Sequence, residues 1–291
     1  MGKDIRAITV GIDGSRAGLD AADWAAREAQ RRHLALRLLQ AGPDPASPPD
    51  GEPSRVTLDR AAVQLAYAHP ALDIMARRTD TPAIPALLAA AAESEALALG
   101  SRGFSDVAGF PVGSVARAVA ARAERPVVLV RAGELPEDER VPVDEATPPA
   151  QVPYLPVVLG LDLSHSADRL IGYAFDAAAT RAAPLHVVHA WTLPPPPGYA
   201  VGTRTLDDTA GLEDANRRSL AVILQPWRHK CPETPVLEEV AYGLAGHHLL
   251  KASIQAGLLV IGRATSGAGL GRVAHFVIHH CACPVAVVPH E

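Results

Sequence analysis

Apolar residues along the chain fall into two alternating kinds of run. Ile5 to Ile12, Leu34 to Leu39, Glu95 to Leu99 and Pro126 to Val130 are short and nearly continuous, the pattern of strands buried on both faces. Between them apolar positions recur every three or four residues. Gly18, Ala21, Ala22, Ala25, Ala26 and Ala29 make one helix face, and Leu58, Ala61, Ala62, Leu65, Ala66 and His69 make another. Further helices are expected through Leu87 to Ala92 and from about Ser114, and a third strand near Ala71 to Ala76. Pro156 to Leu161, Leu185 to His189, Val236 to Ala241, Leu258 to Ile261 and Val285 to Val288 continue the strand pattern. Parallel strands need crossovers of this length, so the predicted fold class is α/β: two tandem open parallel-sheet sandwiches, Rossmann-like in construction.

The two halves resemble one another. Val10-Gly-Ile-Asp13-Gly-Ser15 recurs 149 positions later as Leu159-Gly-Leu-Asp162-Leu-Ser164, and the same offset carries Trp24 to Tyr173 and Leu36 to Leu185. Later, Gly100 corresponds to Gly262, and Pro126-Val-Val-Leu-Val130 to Pro284-Val-Ala-Val-Val288. A repeated order of elements marks an internal duplication. Residues 131–153, rich in proline and acid, lack a sustained apolar period and read as a linker. The expected organisation is therefore a first domain over 1–132, a linker over 133–153 and a second domain over 154–291. Trp191 to Asp208, with its four prolines Pro194 to Pro197, reads as a stiff excursion between strand and helix.

Composition narrows the functional classes. Of 291 residues, 48% are apolar and 20% charged, enough to build packed cores, and the net charge of −5 argues against nucleic acid or an anionic membrane as partner. Three cysteines are too few for a disulfide framework, and the opening residues enter a strand-like run without a signal h-region. The expected location is the cytoplasm. His279-His280 and Cys281-x-Cys283 invite a metal reading, but a Cys-x-Cys beside a core strand is a loose pattern and no metal is expected.

The chemistry concentrates in Gly100-Ser-Arg102-Gly103, which follows a strand, and Gly113-Ser114, which opens a helix. Glycines let backbone amides approach an anion, a helix N-terminus adds unpaired N–H groups, and the Ser114 hydroxyl adds a donor. Taken alone, these residues could equally end a strand and cap a helix. Asp13 could likewise be only a turn-capping carboxylate, and Arg102 only a solvated loop arginine.

The spacing Gly-x2-Gly-x9-Gly-Ser resembles the nucleotide signature of the universal stress protein family, in particular its ATP-binding branch. Val10 to Ser15 resembles that family's opening strand and acidic turn, Pro126 to Val130 its closing strand, and Leu185 to Trp191 with His279 to Val285 the matching parts of a second copy. The resemblance implies a tandem protein of this family. It further implies ATP as ligand, with Mg2+ as a candidate companion, Asp13 on the base and ribose side, Leu38 meeting adenine through its backbone, and Gly100, Gly103, Gly113 and Ser114 along the phosphates. Arg102 is placed to balance phosphate charge. Closing strands resemble family strands used in pairing, which leads us to expect an intrachain pseudo-dimer, with a homodimer of chains as a further option.

The second half departs from the signature. Gly262 remains, but only 9 positions separate it from Gly271, against 13 between Gly100 and Gly113, and Arg272 stands where Ser114 stands. Asp162, Val187, Gly262 and Gly271 are thus expected to form a weaker second site. No pattern supplies a general base with a positioned water. The leading expectation is a nucleotide-binding regulatory module working through an unidentified protein partner. A slow ATPase or adenylyl-transfer enzyme and a nucleotide-free scaffold are the alternatives.

Overall fold

The computed structural model describes residues 6–42, 52–101, 112–142, 148, 152–165, 167–193, 206–267 and 269–291. Five strands of the first half, β1 (Ala7–Gly11), β2 (Ala35–Ala41), β3 (Ile74–Thr79), β4 (Ala96–Ser101) and β5 (Val127–Arg131), alternate with helices α1 (Arg16–Arg31), α2 (Glu52–Ala68), α3 (Ala83–Ala92) and α4 (Ser114–Ala120). The second half repeats the order: β6 (Val157–Gly160), α5 (Asp168–Arg181), β7 (Leu185–Trp191), α6 (Leu206–Lys230), β8 (Val236–Tyr242), α7 (Ala245–Ser253), β9 (Leu258–Ala264), α8 (Arg272–His280) and β10 (Val285–His290).

Within each half all pairings are parallel, in the order β3-β2-β1-β4-β5 and β8-β7-β6-β9-β10. The two sheets are one. β5 pairs antiparallel with β10 through Val127↔Val287, Val128↔Ala286 and Leu129↔Val285, giving ten strands in a row with a pseudo-two-fold axis between the halves. This pairing covers two sheet edges that would otherwise be open templates for association. The expected intrachain pseudo-dimer is thus present as a continuous sheet. Because the central pair is antiparallel, the amino ends of the first-half strands lie beside the carboxyl ends of the second-half strands.

Two apolar layers enclose the sheet. Trp24 and the small face of α1, Leu58 and Leu65 of α2, Phe175 of α5 and Leu220 and Leu224 of α6 pack on one side. Leu87, Val119, Leu249 and Val277 of α3, α4, α7 and α8 pack on the other. The helix after β1 and the helix after β4 therefore leave on opposite faces. A crevice opens at that point in each half, outside the carboxyl ends of β1 and β4 and of β6 and β9.

Two sequence expectations need correction. The third strand begins at Ile74 rather than near Ala71, because the chain first turns, with the Leu72 amide donating to the His69 carbonyl at 3.0 Å. As an edge strand it is half-exposed, and Arg77 and Arg78 break its apolar run. The linker is also more than a spacer. It forms a 3₁₀ turn, Pro136–Glu139, and buries Glu139 to 1% exposure against Arg27 (3.0 Å) and Arg31 (2.8 Å) of α1. Arg140 and Tyr154 then form an isolated antiparallel bridge at the entrance to the second half.

Candidate functional site: two crevices at the strand-order reversals

Each crevice begins with the same turn. Asp13, two residues past β1, accepts the Ser15 amide at 2.9 Å and the Ser15 hydroxyl at 2.6 Å on a single oxygen. Ser15 in turn caps α1 by accepting the Gly18 amide at 3.1 Å. Asp162 holds Ser164 in the same way, at 3.0 Å to the amide and 2.7 Å to the hydroxyl. Both carboxylates are exposed and fixed. The second oxygen of Asp13 takes no hydrogen bond from the described residues, whereas that of Asp162 has His165 Nδ1 at 3.8 Å. Desolvation pushes the Asp162 carboxyl up, but the Ser164 bonds and the nearby His165 and His189 pull it further down, below the usual carboxylate value.

Gly100 and Gly262 lie near the carboxyl ends of β4 and β9, the strands across each reversal. A Cβ on Gly100 would sit 2.4 Å from both the carbonyl carbon and oxygen of Ala17, so the glycine is required for α1 to cross the strand end closely. This close helix crossing was absent from the sequence reading, which placed Gly100 either on the phosphates or at a simple strand end. Gly262 is different: its Cβ would meet movable side-chain atoms, His290 Nε2 at 2.5 Å and Leu170 Cδ2 at 3.0 Å.

Gly113 and Gly271 are the N-caps of α4 and α8. Their φ values, −57° and −63°, suit any L-residue, and a Cβ on either would meet nothing within 4 Å. Neither backbone strain nor packing among the described residues calls for glycine there. Among the described residues nothing fills the space where a Cβ on either cap would stand, and the first amides of α8 point out of the helix end without a side-chain cap. Ser114 is exposed at the first position of α4. Arg102 and Gly103 lie outside the described residues.

In the second half these parts surround a cavity of about 700 Å³. Asp162 and His165 stand at one wall, Gly271 and Arg272 at the helix start, and Val188, Ala190 and Leu249 supply apolar surface. The predicted Val187 is not among the lining residues. Alternation along β7 sends its side chain into the α5 layer, and Val188 and Ala190 take the crevice face instead. Leu38 occupies the equivalent register, opposite Val10 as Val187 is opposite Leu159. It is fully buried, with β1 and β3 paired on either side, so its backbone is committed to the sheet. Period-2 bookkeeping along β2 and β7, carried to the strand end, was the signal that could have found the positions whose side chains face the crevice.

The cavity has the size, apolar wall, fixed carboxylate and amide-rich end that suit a nucleotide-sized ligand. Among the described residues no helix is long and apolar enough to cross a membrane.

Comparison with known proteins agrees with this architecture across the whole chain. The family model described as "Universal stress protein family" matches residues 4–131 and again residues 153–289. Universal stress protein Rv1996 of Mycobacterium tuberculosis is 28% identical, with 96% of this chain and 94% of that protein aligned. Universal stress protein Rv2005c of the same organism is also 28% identical, covering 96% of each. Among solved structures, a universal stress protein from Archaeoglobus fulgidus superposes over 98% of both chains with a TM-score of 0.68 at 18% identity, a likeness of fold. Matched twice in tandem over most of its length, and folded as two copies of one parallel unit, the chain belongs to the universal stress protein family.

Proposed function

We propose that this chain is an ATP-binding regulatory module of the stress response, with nucleotide held mainly by the first crevice. The observation that carries this reading is Gly113: a glycine at the N-cap of α4 where, among the described residues, a Cβ would meet nothing and no packing calls for glycine. Close approach of a phosphate chain to the helix amides supplies that reason. Asp13, fixed by Ser15 with one oxygen left over, accepts the ribose hydroxyls. Gly103, Gly113 and Ser114 donate to phosphate, and Arg102 balances its charge. Gly100 serves the site by letting α1 and β4 converge. Were Mg2+ to accompany ATP, it would be held through the phosphate oxygens and would offset part of their charge. The bound triphosphate and segment 103–113 together present the surface that a protein partner reads, and chain dimerisation would double it.

Isothermal titration calorimetry of the full chain with ATP tests the assignment. Gly113→Ala costs no packing, so its expected signature is an ATP affinity at least about tenfold weaker at unchanged melting temperature, about 1.4 kcal/mol of binding. Asp13→Ala weakens binding similarly. Unchanged affinity in both variants rejects the site.

A second reading, an additional weaker nucleotide site in the second half, is favoured by its cavity of about 700 Å³ and by open space at Gly271. Its departure from the signature loop and the arginine at its helix start argue for weaker binding of a triphosphate. A residual binding event in Gly113→Ala is the outcome that would reveal it.

A further inference from the structure

The seam between the halves holds a third cleft, of about 870 Å³, between the amino ends of β1, β4 and β5 and the carboxyl ends of β9 and β10. Arg122, Arg125, Arg169 and Arg263 line it. Of the acids beside them, Glu95 is bound to Arg6 at 2.6 Å and Asp176 to Arg32, leaving Glu124 and Glu291.

Arg263 is the unusual member. It is only 6% exposed, and one terminal nitrogen reaches across the seam to donate to the Ala123 carbonyl. Among the described residues its Nε has no hydrogen-bond partner and no carboxylate pairs with it. Burial pulls its pKa below the usual arginine value with nothing opposing the shift. The equivalent position in the first half is Ser101, whose hydroxyl donates to the Val130 carbonyl, so the arginine is particular to this side. Arg131, buried elsewhere along the seam, is likewise drawn down by burial, to about 10. A buried guanidinium without a counter-charge is costly, and an anion from solution removes that cost.

We propose that the seam cleft is a ligand site distinct from the two nucleotide crevices, taking the phosphate group of a small phosphorylated molecule. Arg263 is the buried anchor, and Arg125 and Arg169 are exposed rim contacts. Planar guanidinium forks match phosphate oxygens, and the volume accommodates a nucleotide-sized metabolite. Since Arg263 also borders the second crevice, the rim arginines, which line the seam cleft and not that crevice, carry the decisive test.

Pyrophosphate is titrated into the full chain and its Gly113→Ala variant, followed by calorimetry and thermal melting, with citrate as a carboxylate-only control. Expected are one pyrophosphate per chain in both proteins, a rise in melting temperature, and at least tenfold weaker response to citrate. Arg263→Met abolishes the rise, with the ligand-free melting temperature equal to or above that of the parent. Arg125→Ala combined with Arg169→Ala weakens pyrophosphate at least tenfold while ATP affinity is unchanged. Should Arg263→Met fail to fold, the exposed pair decides alone. No pyrophosphate binding, binding unchanged in the rim pair, or equal binding of citrate would overturn the proposal. Loss of pyrophosphate binding in Gly113→Ala would overturn it too, by moving the ligand to the ATP crevice.

Discussion

Helices α1 and α5 occupy equivalent places beside the pseudo-two-fold axis, yet they treat charge differently. The 149-residue offset carries Arg32 of α1 to Arg181 of α5, and both guanidiniums converge on Glu28, at 2.5 Å and 2.6 Å. The same offset carries Glu28 to Ala177, so the second half has no matching acid. Near a two-fold axis a residue meets its own counterpart. Two facing arginines need an acid between them, whereas two facing glutamates would repel. One carboxylate in one copy satisfies both cations. The duplication thus kept the fold symmetric while the chemistry on the axis became single.

Removing that carboxylate has the largest expected effect. Burial pushes Glu28 up, but Arg181, Arg32 and Arg31 together hold it well below the usual carboxylate range. A depressed folded pKa contributes stability that is present above the ordinary value of 4.5 and is lost as pH falls below it. Glu28→Gln leaves the surrounding guanidiniums buried without their acid, and urea unfolding at pH 7 is expected to show a loss of about 3–5 kcal/mol. Adding Ala177→Glu moves a carboxylate to the symmetry-related place and recovers part of that loss. No recovery would mean that the axis is less symmetric than the strand order suggests.

Glycines at the strand ends give the next largest contrast. Gly100→Ala drives a Cβ into backbone of α1, which cannot yield without shifting the helix. Gly262→Ala meets the imidazole of His290 and a leucine methyl, which can rotate away. Thermal and urea unfolding are expected to show about 3 kcal/mol lost in the first and about 1 kcal/mol in the second. Equal losses would contradict the contrast.

The remaining stability difference lies where the linker meets the first half. Burial, reinforced by Glu139 and Asp138, pushes Glu134 up to about 8, against the opposing pull of Arg27 and Arg131. With its folded pKa raised, its contribution is full below the ordinary 4.5 and is lost as pH rises through about 8. Glu134→Gln removes that dependence, so the variant should gain on the parent by about 1–2 kcal/mol between pH 6 and pH 9. Melting curves that stay parallel across that range would remove Glu134 from the account.

Most of the fold was legible in the sequence because it rests on periodicity, which is local. Buried parallel strands announce themselves as unbroken runs such as Val127 to Val130, and α1 shows its core face in a row of alanines. The half-exposed edge strand β3 lacks such a run and was misplaced by three residues. At the first crevice, the turn at Asp13 and the helix start at Gly113 were legible because turn and cap chemistry follow residue type. The face taken by the Leu38 and Val187 side chains was not, because one step of strand register changes the face. Glu139 and Arg263 were missed for a different reason: their partners, Arg27, Arg31 and Ala123, are more than 100 residues away in sequence, and no local pattern signals a charge that tertiary contact will bury.

The smallest effect is expected at Asp162, and it is the one that most sharpens the comparison of the crevices. Asp13 and Asp162 make the same turn with the following serine, so turn geometry cannot distinguish them. They differ in what else reaches the carboxylate: Asp162 is 69% exposed with His165 beside its second oxygen, while that oxygen of Asp13 takes no hydrogen bond from the described residues. They differ also in the phosphate end, where a helix starting Gly113-Ser114 offers a hydroxyl and one starting Gly271-Arg272 does not. If triphosphate affinity depends on that end, removing a ribose contact in the second crevice hardly changes what the full chain binds. Asp162→Ala should therefore alter overall ATP affinity by less than about twofold, roughly 0.4 kcal/mol, against at least tenfold for Asp13→Ala. Its stability cost, the loss of an exposed turn's hydrogen bonds, should stay near about 0.5 kcal/mol. Calorimetry that finds two nucleotides per chain, with Asp162→Ala abolishing one of them at undiminished affinity of the other, would make the crevices equal and overturn the asymmetry.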